Sequence, residues 1–323
     1  MKYFVTGATG FIGSYLARQL AKDGHDVRAL ARVPERAAAL TKHGIEIFQG
    51  DITDKESMRG AMSAVDGVFH VAGWYQLGGR DKRAAWDVNV EGTRNVLELA
   101  AELGIPKTVY TSSLAVFSDT HGKVVDESYR YDGPHLSEYD RTKWVAHYEV
   151  AEPMMQAGLP MVIVQPGLVY GPGDAFLFHD MLVQYLHGRL LAAPRNTAYC
   201  WGHVADTARG HVLAMENGAP GETYIIAGPP HSIVEVLALA ELITGIPRPR
   251  LTLDPWMLRA GAATVGLLES LIPIARAYSS EALRSMAGVT YLGSNAKAQK
   301  ELGLEMRPLV QGLNETLDYE MQQ

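Results

Sequence analysis

The 323-residue chain has a single cysteine, Cys200, which rules out an internal disulfide and a cysteine metal cluster. That suits a reducing compartment, and Cys200 beside Trp201 is expected to be a buried core thiol. Its eleven histidines form no pair or triad at ligand spacing, so no metal site is expected. Basic residues are outnumbered: 29 Lys and Arg against 36 Asp and Glu leave a net charge of −7. No general attraction to nucleic acid or anionic lipid follows from that balance. Long apolar runs are absent too. The most apolar late stretch, Trp256 to Ile274, is broken by Arg259 and Glu269 and is too short and too charged for a membrane span. It fits a mobile lid or a buried helical hairpin equally well. Repeats and low-complexity tracts are also missing, and with the first apolar strand starting within four residues no signal peptide is expected. A cytoplasmic protein is expected.

The chain opens on that strand, which runs into Gly7, Gly10 and Gly13, spaced three apart, with an amphipathic helix after them. Glycines in this context let the backbone turn tightly and approach a pyrophosphate, while the free N–H groups of the helix start face the anion. Thr9, Phe11 and Ile12 lie in the same loop. Strands are then predicted at 26–31, 45–51, 65–71, 107–112 and 161–165, alternating with helices that include 53–64, 89–102 and 141–157. Near-continuous apolar strands alternating with helices argue for a parallel sheet covered on both faces. Ligands then collect at the carboxyl ends of the strands. The expected class is α/β, a Rossmann-type doubly wound parallel sheet with a smaller, mostly helical substrate-side domain. Residues 1–170 would form the dinucleotide-binding part, with 200–230 returning to it and Thr223 to Ile226 as a last strand. Residues 171–199 and 231–323 would form the smaller part.

Tyr139 and Lys143 stand four apart at a predicted helix start, hence on one face. An ammonium near a phenol favours the phenolate and would lower the Tyr139 pKa toward the range of a working acid–base. Thr111, Ser112 and Ser113 close the fifth strand, where a hydroxyl can hydrogen-bond a substrate oxygen. Asn89 is predicted to begin the preceding helix, where it could cap it and also hold a relay to Lys143. The end of the second strand carries Arg32, with Arg36 a turn later and no acid at the strand end itself. An acid there would accept ribose hydroxyls, whereas a guanidinium suits a 2′-phosphate, so NADP(H) is favoured over NAD(H).

Taken together, these motifs resemble the extended short-chain dehydrogenase/reductase family, the NAD-dependent epimerase/dehydratase group. The resemblance spans nearly the whole chain: Thr6 to Gly13, Gly50-Asp51, His70-Val71-Ala72-Gly73, Asn89 to Thr93, Thr111-Ser112-Ser113, Tyr139-x-x-x-Lys143, Val169 to Asp174 and His203 to Asp206. It implies Ser113 as the substrate-facing hydroxyl, Tyr139 as acid–base, and Lys143 on the nicotinamide ribose. It also places Asp51 and Ile52 by the adenine, Val71, Ala72 and Gly73 along the cofactor, and Pro166, Gly167, Leu168 and Val169 by the nicotinamide. His203 and Asp206 would order the segment over the crevice. A homodimer through the Lys143 helix is implied as well.

Departures from the sugar-nucleotide members narrow the reaction. Gln165-Pro166-Gly167-Leu168-Val169-Tyr170-Gly171 lacks the arginine and asparagine of their Arg-Pro-x-Asn-Val-Tyr-Gly-like segment, and Leu114 and Ala115 stand where dehydratases carry an acid pair. The pattern looks more like dihydroflavonol-4-reductase-like and 3β-hydroxysteroid-dehydrogenase-like members. Trp74, Tyr75, Phe176, Phe178 and Met181 would roof a site for an apolar or aromatic carbonyl. Reversible hydride transfer between NADPH and a ketone or aldehyde is therefore expected. Two alternatives stay open: an epimerase that uses its cofactor transiently, and a silent NADP-binding sensor.

Overall fold

The computed structural model describes residues 1–76, 78, 81–269, 274 and 278–323. Strand β1 (Lys2–Thr6) is buried from Tyr3 onward, and β4 (Gly67–His70), β5 (Thr108–Thr111) and β6 (Met161–Gln165) are buried throughout. Strands covered on both faces need apolar side chains in both directions, which explains their unalternating sequences. With β2 (Asp26–Ala31), β3 (Glu46–Gln49) and β10 (Thr223–Ile225) they form a seven-stranded sheet in the order β3-β2-β1-β4-β5-β6-β10. All its pairings are parallel. The order reverses between β1 and β4, so a crevice opens at their carboxyl ends. One face packs on helix α1 (Phe11–Lys22) and the helix Val204–Asn217, through Leu16, Leu20, Val212 and Met215. The other is closed by Met58, Val96, Leu97 and Val150.

The smaller part stands over the crevice. Its sheet places β9 (Ala198–His203) between β11 (Pro230–Ser232) and β13 (Thr290–Tyr291), with β7 (Leu168–Tyr170) also on β9. Although β7 follows β6 directly, it leaves the large sheet at Pro166-Gly167. A Cβ on Gly167 would sit 2.2 Å from the Cys200 carbonyl oxygen, so only glycine lets β7 approach β9 there. Residues 168–170 and 198–203 thus belong to the smaller sheet. Ala298, Leu302 and Leu304 pack instead into the large-sheet core against the helix Val204–Asn217 and β10. Cys200 is fully buried.

Two helices differ from expectation. The stretch expected to begin at Asn89 begins earlier, because Asp81 caps Lys82–Trp86 by accepting from the Ala84 N–H. It continues through a π-helical turn, Asp87–Glu91, into Gly92–Glu102, so Asn89 sits inside it and is no cap. The helix expected at 141–157 starts at Glu138, capped by Ser137, and runs as Glu138–Val145, a π-helical stretch Ala146–Ala151, and Glu152–Gln156. Pro153 lacks an N–H for the Glu149 carbonyl, and the widened turn spans that break. The late apolar stretch contains the helix Pro255–Leu268, with Leu258 and Ala262 buried and Trp256 and Leu267 exposed. Residues 270–273 of it lie outside the described residues. Among the described residues, no helix is long and apolar enough to cross a membrane.

Candidate active site

The glycine loop sits at the switch point because only residues without a side chain fit there. Gly7 has φ +71°, and a Cβ there would meet the Ala72 N at 2.6 Å; one on Gly13 would meet the Gly7 carbonyl oxygen at 2.1 Å. The loop therefore lies directly on the end of β4. Thr6 fixes that contact: its Oγ1 is 2.8 Å from His70 Nδ1 and accepts from the Val71 and Ala72 N–H groups at 3.2 Å. His70 Nε2 in turn lies 3.1 Å from Thr93 Oγ1, and burial pushes its pKa down to about 3, so the ring is a neutral strut. Gly10 is the N-cap of α1, with no side-chain cap and no acid in the first turn. N–H groups left so, facing an open crevice, fit a dinucleotide pyrophosphate.

Every predicted cofactor and substrate residue lines one cavity of about 770 Å³, from Gly7 and Arg32 at one end to Phe178 and Met181 at the other. Arg32 lies in the exposed mouth at the end of β2, with Asp51 and Ile52 across from it. Tyr139 and Lys143 stand on the cavity wall one turn apart, and the Ser113 hydroxyl faces the Tyr139 hydroxyl closely enough to favour its phenolate. Over Tyr139 lies the Tyr75 ring, edge-on at 4.8 Å between centroids, with Phe176 5.2 Å beyond it. The Phe176 to Met181 stripe thus faces a cavity at Phe176, Phe178 and Met181, while Leu182 and Tyr185 join the core beneath.

Asn89 is the exception. It does not line the cavity, and its amide is spent elsewhere: Oδ1 accepts from the Trp74 N–H at 2.7 Å, and Nδ2 donates to the Trp74 carbonyl and to Thr142 Oγ1. It anchors the turn after β4 to the Tyr139 helix, and its amide bonds go to Trp74 and Thr142 rather than to Lys143. The Lys143 ammonium donates to the Thr111 carbonyl at 2.8 Å and to Tyr110 Oη at 3.4 Å. His203 likewise stays off the cavity wall; it caps Val204–Asn217, while Asp206 holds Arg307.

The electrostatics correct one expectation. Burial pushes the Tyr139 pKa up to about 12; Ser113 opposes that and Asp140 adds to it. The lowering expected from Lys143 does not appear: burial dominates at Tyr139, and it pushes Lys143 itself down to about 7. Three wall residues went unnoticed in the sequence. Asp140 is buried, accepts from the Tyr291 hydroxyl at 3.0 Å, and is pushed up to about 7 by burial; Tyr199 stacks on Tyr291. Asp140 follows Tyr139 in the chain, but its partner is 151 residues away and no local signal marks it. No group of metal-ligating side chains occurs among the described residues.

Comparison with known proteins agrees with this geometry. Residues 3–227 match the model of the NAD dependent epimerase/dehydratase family. The chain is 34% identical to the "Putative dihydroflavonol 4-reductase" of Synechocystis sp., covering 98% of this chain and 94% of that protein. It is 30% identical to cinnamoyl-CoA reductase 1 of Oryza sativa subsp. japonica, over 97% of this chain and 88% of the other. The crystal structure of gox2253 superposes with a TM-score of 0.85 at 31% identity, covering 99% of this chain and 98% of that one. A glycine loop at the switch point, a tyrosine and lysine one turn apart on the same wall, and relatives of this kind over the full length lead to one assignment: the chain belongs to the NAD-dependent epimerase/dehydratase family, whose members bind a nicotinamide dinucleotide.

Proposed function

We propose that the protein is an NADP(H)-dependent carbonyl reductase for apolar or aromatic ketones and aldehydes. The observation that carries this reading is the meeting of Ser113 and Tyr139 on the wall of a cavity whose far half is aromatic and apolar. Bound along the glycine loop, the dinucleotide supplies the hydride. Ser113 and Tyr139 hold the carbonyl oxygen between two hydroxyl donors, and the Tyr139 proton passes to that oxygen as negative charge develops on it. Lys143 holds the ribose beside them. The phenol, kept protonated by burial, is in the state that reduction needs. Tyr75 and Phe176 cover it and keep water from the hydride path. A net reductase of this kind consumes one NADPH for each alcohol formed. That stoichiometry, measured on a panel of aromatic ketones, aldehydes, dihydroflavonols and steroids, tests the reading; isomerised product with the cofactor unspent would overturn it.

Arg32 supports the preference for NADP(H). It stands at the mouth of the cleft, where Leu30 and Ala31 supply no acid to accept ribose hydroxyls. Arg32→Glu is expected to raise the KM for NADPH by roughly 100-fold while changing that for NADH by less than about threefold, as removal and reversal of a phosphate-facing charge require. Initial rates with both cofactors measure this, and equal effects on the two would refute the assignment.

A further inference from the structure

Tyr139 stands half-buried on the cavity wall beneath the Tyr75 ring, and each reduction leaves it one proton short. The Asn89 amide bonds Trp74 and Thr142 rather than Lys143. A different polar chain leaves the same wall. Ser112, which lines the cavity beside Ser113, has its Oγ 2.7 Å from His147 Nδ1. His147 Nε2 lies 3.5 Å from Glu152 Oε1. Ser112 and His147 are buried, whereas the Glu152 side chain is 25% exposed, with Arg130 3.9 Å away at the surface. The chain therefore runs from the cavity to solvent.

The helix geometry makes this contact. Tyr139, Lys143 and His147 follow one another at four-residue steps and share a face. Residues five apart on an α-helix diverge by about 140°, which would turn Glu152 away from His147. The π-helical stretch Ala146–Ala151, with its i→i+5 repeat, brings them to one side. Such turns occur frequently at functional sites.

We propose that Ser112, His147 and Glu152 form a proton conduit that returns a proton from solvent to Tyr139 after each turnover. This rests on the reductase reading above. In the transfer, Glu152 passes a proton to His147 Nε2, His147 Nδ1–H gives its proton to Ser112 Oγ, and the Ser112 hydroxyl proton moves into the cavity toward the Tyr139 phenolate. One proton enters and one is delivered; no group is oxidised. The charged groups acting on His147 are Glu152, Lys143 and Arg130, with the Tyr148 ring against its face. Burial lowers the His147 pKa, with Lys143 and Arg130 adding to that and Glu152 opposing it, so the imidazole rests neutral and can accept and release a proton.

The test compares wild type with His147→Gln and Glu152→Gln, by steady-state turnover across pH at two buffer concentrations and by single-turnover NADPH oxidation. Expected for His147→Gln is a loss of roughly tenfold in kcat that added imidazole buffer restores, with the single-turnover rate and the KM for NADPH unchanged. Glu152→Gln, at a part-exposed site, should give the same signature at about threefold and decides the matter if His147→Gln does not fold. Wild-type kcat and pH profile in both variants, or a loss shared by the single-turnover rate and not restored by buffer, would overturn the conduit alone. A wild-type enzyme that oxidises no NADPH on any carbonyl would overturn the reductase reading and the conduit with it.

Discussion

Tyr139→Phe is expected to lower kcat for ketone reduction by roughly 10³-fold with little change in the KM for substrate, because the lost interaction is made chiefly in the transition state. The ring keeps its contact with Tyr75, so the cavity holds its shape. What disappears is the hydroxyl that faces Ser113 on the cavity wall. The pKa sharpens the prediction. A phenol pushed up to about 12 stays protonated through the physiological range, so reduction should be nearly independent of pH there. Alcohol oxidation needs the phenolate, whose population rises about tenfold per pH unit below that value, and should climb accordingly. Progress curves in both directions check the pair. Full turnover in the variant, or an oxidation rate flat with pH, would remove Tyr139 from the chemistry.

The residues legible in the sequence are those whose placement is decided locally. Gly7, Gly10 and Gly13 follow an apolar strand and precede an amphipathic helix, and that order alone fixes their position at the carboxyl edge. The same holds for Arg32 at the end of β2 and for Tyr139 and Lys143 on a helix capped by Ser137. What stayed hidden depends on distance or on a break in regular periodicity. Asn89 reads as a cap only if Asp81, eight residues earlier, is overlooked. His147 and Glu152 look like residues on opposite faces until the π-helical turn rotates them together. Asp140 finds Tyr291 only when the smaller sheet folds over the crevice. The pKa values are the clearest case, since Tyr-x-x-x-Lys spacing predicts a lowered phenol and burial, a property of the whole fold, raises it.

Burial of that kind implies a trade between stability and chemistry at Lys143. Its ordinary pKa is 10.5 and burial pushes it down to about 7, with no carboxylate among the causes. Below pH 7 the ammonium is charged in both folded and unfolded chains, and the folded state carries the full desolvation cost, of the order of 5 kcal/mol at about 1.4 kcal/mol per unit. Between 7 and 10.5 the unfolded chain binds the proton that the folded one has released, so stability rises with pH through that window. Lys143→Met keeps the length of the side chain and removes the charge. It also leaves the Thr111 carbonyl without its donor, which offsets part of the gain by about 1–3 kcal/mol. The variant should therefore be more stable than wild type by about 2 kcal/mol near pH 6, with the difference vanishing at about pH 8 and reversing above it, where the wild-type chain sheds the desolvation cost but keeps its bond to Thr111. Turnover should fall by roughly 10²- to 10³-fold, through loss of the cation that holds the ribose. Urea titrations across pH, set beside initial rates, check both halves. A variant equally destabilised at all pH values would mean that a carboxylate or other partner pairs with the ammonium in the folded chain. A stabilised variant that still reduces carbonyls at the wild-type rate would mean that the charge is kept there for something other than this reaction.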